Sequence, residues 1–302
     1  MRVLVTGAGG TLGAALTSML SDAGHEPVLF DIRMLETPYE SVQGDVRIHE
    51  DVQAAVEGVE FVVHTAAIHG IHLGTHSRQD FYDLNLTGTF NVWEGAVKAG
   101  VKGIVFSSTM GVYKPYDKPL SEETFVALHE NLPLQPADIY GYTKVAGEEM
   151  CRLYGQEYGI PSVGLRYGMF VPEPFFRYGI RLLYGGVDTR DVARAVMASL
   201  EALAAGKIHW DAFNVESLVP FTEEDGPLLR KDPLLVLDKY YPSATGLLRE
   251  RGVESLAPIR EYYPMEHAAQ VLGLRPECNF GKWLEELRER PEERAEKNPP
   301  WP

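Results

Sequence analysis

Only two cysteines, Cys151 and Cys278, occur in a chain of 302 residues, too few for a disulfide framework or a cysteine-based metal cluster. That scarcity points to a reducing compartment, and the expected location is cytoplasmic. Basic residues are also in deficit: 28 Lys and Arg stand against 43 Asp and Glu, a formal charge of −15. A nucleic-acid surface or an anionic membrane needs basic density, so neither is an expected partner. No run approaches the roughly 18 uninterrupted apolar residues of a membrane span. The apolar start, residues 1–6, is too short for a signal-peptide core and reads as a strand. No internal repeat is present.

What the chain does have is alternation. Residues 2–6, 27–32, 43–46, 60–66, 103–107 and 161–166 are short apolar or β-branched runs. Helical patterns at 11–23, 49–56, 78–99 and 139–158 lie among them. Near-continuous apolar strands separated by helices predict an α/β fold, a doubly wound parallel sheet of the Rossmann type covered on both faces. After Arg166 the pattern changes to a Pro- and aromatic-rich loop over 171–184. A helix from Asp188 or Thr189 to about 205 and a strand at 212–215 follow. The rest is rich in Pro, Tyr and charge, with helices expected at 244–251, 265–272 and 280–288 and a fraying tail over 290–302. The expected division is a dinucleotide-binding domain over 1–166, completed by about 187–217. A small, mostly helical substrate lobe would come from 167–186 and 218–302.

The first strand ends in Gly7-Ala8-Gly9-Gly10-Thr11-Leu12-Gly13. The spacing Gly7-x-x-Gly10-x-x-Gly13 is a variant of the dinucleotide fingerprint. One glycine permits the tight turn, one lets the backbone approach a pyrophosphate, and one lets the helix pack on the strand so that its N–H groups face the phosphates. Asp31 closes the second strand, where an acid meets the adenosine ribose hydroxyls and repels a 2′-phosphate. Arg33 weakens that preference. NAD is the expected cofactor.

Asp138-Ile139-Tyr140-Gly141-Tyr142-Thr143-Lys144 places Tyr140 and Lys144 four residues apart on one helical face. A phenol is a poor base at neutral pH, but a nearby ammonium and a cationic nicotinamide ring both favour phenolate. Such a group can take a proton from a substrate hydroxyl while hydride passes to the nicotinamide. The spacing alone is common on exposed helices; it gains weight downstream of a dinucleotide loop and of a strand ending in Ser107, Ser108 and Thr109, where ligands bind in this architecture.

Together these motifs resemble the extended short-chain dehydrogenases/reductases, the NAD-dependent epimerase/dehydratase family. The resemblance runs through the glycine loop, Asp31, Gly44-Asp45-Val46, His64-Thr65-Ala66-Ala67, Asn85-x-x-Gly88-Thr89, Ser107–Tyr113, Tyr140–Lys144, Leu165-Arg166 and residues 188–195. It implies that Asp45 and Val46 contact adenine, that Ala66 and Ala67 line the cofactor with Asn85 and Ser107, and that Thr109 completes a catalytic trio with Tyr140 and Lys144. Dehydratases of the family carry Asp-Glu after the catalytic Thr, and decarboxylases a Glu nearby; here Met110 and Gly111 stand there. Reversible oxidation or epimerisation of a sugar or nucleotide sugar is therefore implied, by a family that suggests a homodimer through residues 78–99 and 139–158. The run 166–174 also resembles uronate dehydrogenases, so a free sugar acid or another small hydroxy or keto substrate stays open.

Other residues have a functional and a plain reading. His64, His69, His72 and His76 cluster without carboxylate or cysteine company, so no metal is expected; His69 or His72 is a candidate substrate contact. Met110 and Thr109 would face the substrate. Arg166, Arg177 and Arg181 are candidates for an anion clamp, against structural pairing with nearby acids. Cys151 reads as packing. A non-catalytic NAD-binding sensor is the rival from another class, disfavoured because both Tyr140 and Lys144 are kept.

Overall fold

A computed structural model describes residues 1–113 and 125–296. Seven parallel strands form one sheet: β1 (Arg2–Thr6), β2 (Glu26–Asp31), β3 (Glu40–Gln43), β4 (Phe61–His64), β5 (Gly103–Thr109), β7 (Ser162–Tyr167) and β8 (Trp210–Val215), in the order β3-β2-β1-β4-β5-β7-β8. Chain order reverses between β1 and β4, and in such sheets the crevice beyond the strand C-termini at that point receives ligands. Apolar side chains project from both faces of the central strands. Val3, Val5, Val63, Val105 and Val163 pack with helices α1 (Thr11–Asp22) and α7 (Thr189–Ala204). Leu4, Val62, Ile104 and Phe106 pack against α2 (His49–Ala55), α4 (Gly88–Ala99) and α5 (Ile139–Tyr158). The doubly wound reading of the sequence is thus correct.

A separate apolar cluster gathers Phe176, Ile180, Leu229, Leu237, Leu248, Phe280, Trp283 and Leu287. These come from α6 (Phe175–Arg181), α8 (Gly226–Lys231), α9 (Leu234–Tyr240), α10 (Ala244–Glu250) and α12 (Phe280–Glu289), while α11 (Glu266–Val271) packs on the sheet. A two-stranded parallel ribbon, β6 (Val126–Ala127) with β9 (Glu261–Tyr262), ties the C-terminal region back to the segment after β5.

Three local readings change. The third strand lies over Glu40–Gln43, not 43–46, because the chain packs tightly at Gly44 and then turns over 45–48, where the Ile48 amide donates to the Asp45 carbonyl at 2.9 Å. A side chain at Gly44 would press on the Phe30 ring at 2.6 Å and on Asp51 at 2.9 Å, and the turn sends Asp45 and Val46 into the cleft. The loop expected over 171–184 contains α6; its Phe176 and Ile180 are one turn apart, and Gly179 leaves the space that the Trp283 indole fills. The helical run over 78–99 is divided into α3 (Arg78–Phe81), a π-helical stretch (Tyr82–Thr87) and α4. The ends of the tail, residues 297–302, lie outside the described residues.

Candidate active site

The strand ends open into one cleft of about 1620 Å³. The glycine loop forms its floor at one end. Gly7 has φ 67°, and a side chain there would meet the Ala66 backbone at 2.8 Å. Gly13 lies so close to the Ala8 backbone that a Cβ would collide with it, which lets α1 start directly beneath the loop. The N-cap of α1, Gly10, supplies no side-chain cap, and its first turn carries no acid. Its N–H groups are therefore available to an anion, in a cradle that fits a pyrophosphate. Asp31 stands beside it. Burial alone would raise its carboxyl, but hydrogen bonds from Arg33 and from the Gly9 and Arg33 amides hold it below the usual range. Arg33, Asp45, Val46, Ala66 and Ala67 line the same end with Gly7, Gly10, Thr11, Leu12 and Gly13. The residues present fit a dinucleotide.

The other end is built on α5. The Asp138 carboxylate accepts from the Gly141 amide at 2.8 Å and fixes the start of this helix one turn before Lys144. Gly147 faces the Phe106 ring where any side chain would collide, so α5 lies flat on β5. Lys144 Nζ consequently donates to the Ser107 carbonyl at 2.7 Å. Burial pushes the Lys144 ammonium down to about 7, against the opposing pull of Glu148. Burial likewise pushes the Tyr140 phenol up to about 12, with Thr109 acting the other way through a hydrogen bond. The lowering of the Tyr140 pKa expected from Lys144 is not realised by these side chains alone, since the ammonium is engaged at Ser107 and lies 5.9 Å from the Tyr140 ring centroid. Ser107, Thr109, Met110, Tyr140 and Lys144 all face the cleft, and Gly70 packs against the Tyr140 ring. His69 stands edge-on to that ring, at 6.3 Å between centroids. Desolvation along the cleft wall, then the charge of Lys144, lowers the pKa of its imidazole.

Four expected site residues are placed elsewhere or are engaged by protein groups. Arg166 is buried; its guanidinium donates to Glu148 at 3.0 and 2.7 Å, to the Tyr113 hydroxyl at 2.8 Å and to the Glu130 carbonyl at 2.9 Å. It is a structural cation, and its charge is spent inside the protein. Arg177 lies outside the cleft lining, 3.7 Å from Glu173, whereas Arg181, one turn on, lines the cleft. Asn85 does not line it either. Its amide bridges the Ile68 backbone and the Thr143 hydroxyl, so from the π-helical stretch it braces the cleft wall against α5. The Gly9 amide is used by Asp31. His64 is also internal, between Thr6 and Thr89, and burial lowers its pKa to about 3. Among the described residues no group of three or more His, Cys, Asp or Glu is placed to hold a metal.

The sequence reading assigned the far wall to 167–186 and 218–302 but named few of the residues that line it. Phe170, Tyr184 and Gly185 reach the cleft from the segment around α6, and Pro258, Arg260, Glu261 and Tyr263 from the C-terminal region. The Tyr184 hydroxyl joins the two by donating to the Ala257 carbonyl at 2.7 Å. Behind Gly168 lies Glu216, buried, with neither oxygen partnered among the described residues; burial pushes its carboxyl well up, with Glu261 adding to the shift. Apart from Phe170, which falls in the run 166–174, no local pattern announces these.

A model of the NAD-dependent epimerase/dehydratase family matches residues 3–173. A uronate dehydrogenase of Pseudomonas putida is 31% identical over 206 residues, 66% of this chain and 71% of that one. Another from Pseudomonas syringae pv. tomato is 33% identical over 57% of this chain, and the match spans only 61% of its own length. In three dimensions the chain is similar to the UDP-N-acetylglucosamine 4-epimerase of Bacillus cereus, with a TM-score of 0.69 and 20% identity over 96% of this chain and 98% of that one.

Proposed function

From the premise that this chain belongs to the NAD-dependent epimerase/dehydratase family, we propose that it uses NAD to oxidise a hydroxyl of a sugar or nucleotide sugar, with Tyr140 as the proton acceptor. The observation that carries this is the convergence of Tyr140, Thr109 and Lys144 in a cleft whose other end is a dinucleotide cradle. NAD, when bound, supplies the hydride acceptor and the positive ring. Tyr140 takes the hydroxyl proton, and Thr109 holds the oxygen through which charge develops. Lys144, with its Nζ 5.9 Å from the Tyr140 ring centroid, offsets the phenolate charge in its protonated form, against the burial that pulls its own pKa down to about 7. Asp31 anchors the adenosine ribose, while Asp45 and Val46 flank the adenine. Ala66, Ala67 and Ser107 complete the cofactor wall, and His69 and Met110 meet the substrate. Met110 and Gly111 carry no acid or base, which leaves reversible oxidation or epimerisation rather than elimination.

We assign the cofactor half to residues 1–166 with 187–217 and the substrate half to 167–186 with 218–302. The separate apolar cluster of α6, α8, α9, α10 and α12 supports this division, although α11 packs on the sheet of the cofactor half. A homodimer through α4 and α5 is part of the proposal, supported by exposed Phe90, Tyr142 and Leu153 on these helices. The two free, buried cysteines favour a reducing, cytoplasmic location, and among the described residues no helix is long and apolar enough to cross a membrane.

The test is the full chain with NAD and a panel of sugars, sugar acids and nucleotide sugars, followed at 340 nm and by product analysis. NADH release marks a net dehydrogenase, and interconversion without NADH an epimerase. NAD binding with no turnover of any member would favour the sensor and sink this proposal.

A further inference from the structure

Of the cations that line the cleft, all but one are engaged by protein groups. Arg33 is paired with Asp31 at 3.0 Å, Arg47 makes hydrogen bonds of 2.9–3.0 Å to Asp45, and Arg181 is tied to Glu173 at 3.2 Å. Lys144 donates to the Ser107 carbonyl. Arg260 lines the same cleft, is exposed, and makes no ion pair or side-chain hydrogen bond among the described residues.

Its backbone, by contrast, is fixed. The Arg260 carbonyl accepts from the Val126 amide at 3.0 Å, the preceding Ile259 amide donates to Leu229 at 2.9 Å, and Ala257 is held by Tyr184. The neighbouring Glu261 is occupied by the Tyr263 hydroxyl at 2.8 Å. A guanidinium whose backbone is anchored and whose donors meet no partner among the described residues is preorganised for an anionic ligand group.

The polar groups of the surrounding wall narrow the class. The Tyr184 and Tyr263 hydroxyls are consumed internally, Ser108 donates to Glu148, and Ile71, Leu73 and Met169 expose apolar surface to the cleft. One spare guanidinium matches one carboxylate bidentately; a diphosphate would ask for more positive charge than this wall offers. We propose that Arg260 seats the carboxylate of the substrate, and that the sugar oxidised at Tyr140 is therefore a free sugar acid. The C-terminal region thereby sets specificity, through a residue outside the stretch matched by the family model. This rests on the redox reading of Tyr140 given above.

The experiment compares D-glucuronate and D-galacturonate with D-glucose, glucose 6-phosphate and UDP-glucose on the full chain with NAD, for the wild type, Arg260→Ala and Arg260→Lys. The expected result is a preference for a uronate, with Arg260→Ala raising its KM about tenfold or more at nearly unchanged kcat and NAD affinity, and Arg260→Lys recovering part of the loss. An unchanged uronate KM in Arg260→Ala overturns the assignment, as does a preference for the neutral, phosphorylated or nucleotide sugar; each of these leaves the redox reading standing. If nothing is turned over, calorimetry of D-glucuronate on the NAD-loaded wild type and Arg260→Ala decides. Binding lost in the variant supports the seat even as the redox reading fails, and no binding, or equal binding to both, overturns it.

Discussion

On the cofactor side of the cleft, each group sits within a few residues of the strand end that places it: the glycine loop after β1, Asp31 at the end of β2, Ala66 just beyond β4, Ser107 and Thr109 closing β5. On the substrate side the wall is assembled from segments far apart in sequence, joined by contacts such as Tyr184 to Ala257 across 73 positions. Strand and helix periods set the first kind of geometry locally, and tertiary packing sets the second. The same chain therefore carries one half of its site as spacing and the other half as a product of folding.

Arg166 separates the two halves most sharply, because the sequence left it between an anion clamp and a structural pairing and the fold gives it to the scaffold. Arg166→Leu leaves Glu148 buried without its cation, and the expected loss is about 3–5 kcal/mol of stability by urea denaturation. A variant that stays as stable as the wild type and loses only substrate KM would return Arg166 to the cleft and blur the comparison.

The next effect belongs to the cofactor side. Asp31→Ala removes a carboxylate that accepts from the Gly9 amide and that we propose reads the ribose, and NAD should bind about tenfold more weakly while the preference over NADP shrinks. An unchanged ratio of the two affinities would show that the ribose is read elsewhere.

Lys144 gives an effect with a defined pH window. Its folded pKa of about 7 lies below the ordinary value of 10.5, so burying it costs stability. That cost is fully present below pH 7 and is relieved as pH rises from 7 towards 10.5, since there the unfolded chain binds the extra proton. Lys144→Met, inactive as an enzyme, should therefore melt above the wild type at pH 6, with the gap closing by pH 10. A gap that is constant with pH would mean that the ammonium is not desolvated as the cleft geometry implies.

The fold was readable because near-continuous apolar strands leave few architectures open, and the boundaries of α5 were readable from Asp138 at its start and Gly159, at φ 71°, at its end. Gly44, Gly179 and Asn85 mark what was not. The close approach at Gly44 depends on Phe30 and Asp51, α6 is completed by Trp283, and Asn85 finds its partners through a π-helical stretch that no periodicity encodes. Arg260 was invisible for the same reason: its meaning lies in which other cations of the cleft are already paired.

The central claim is that Tyr140 moves the substrate proton while the rest of the site holds cofactor and substrate. Its most direct test is Tyr140→Phe, measured for NAD affinity and for turnover of whichever sugar the wild type oxidises. The account predicts NAD binding within a few-fold of wild type and turnover reduced by about 10²–10⁴. Near-normal turnover in that variant would contradict it.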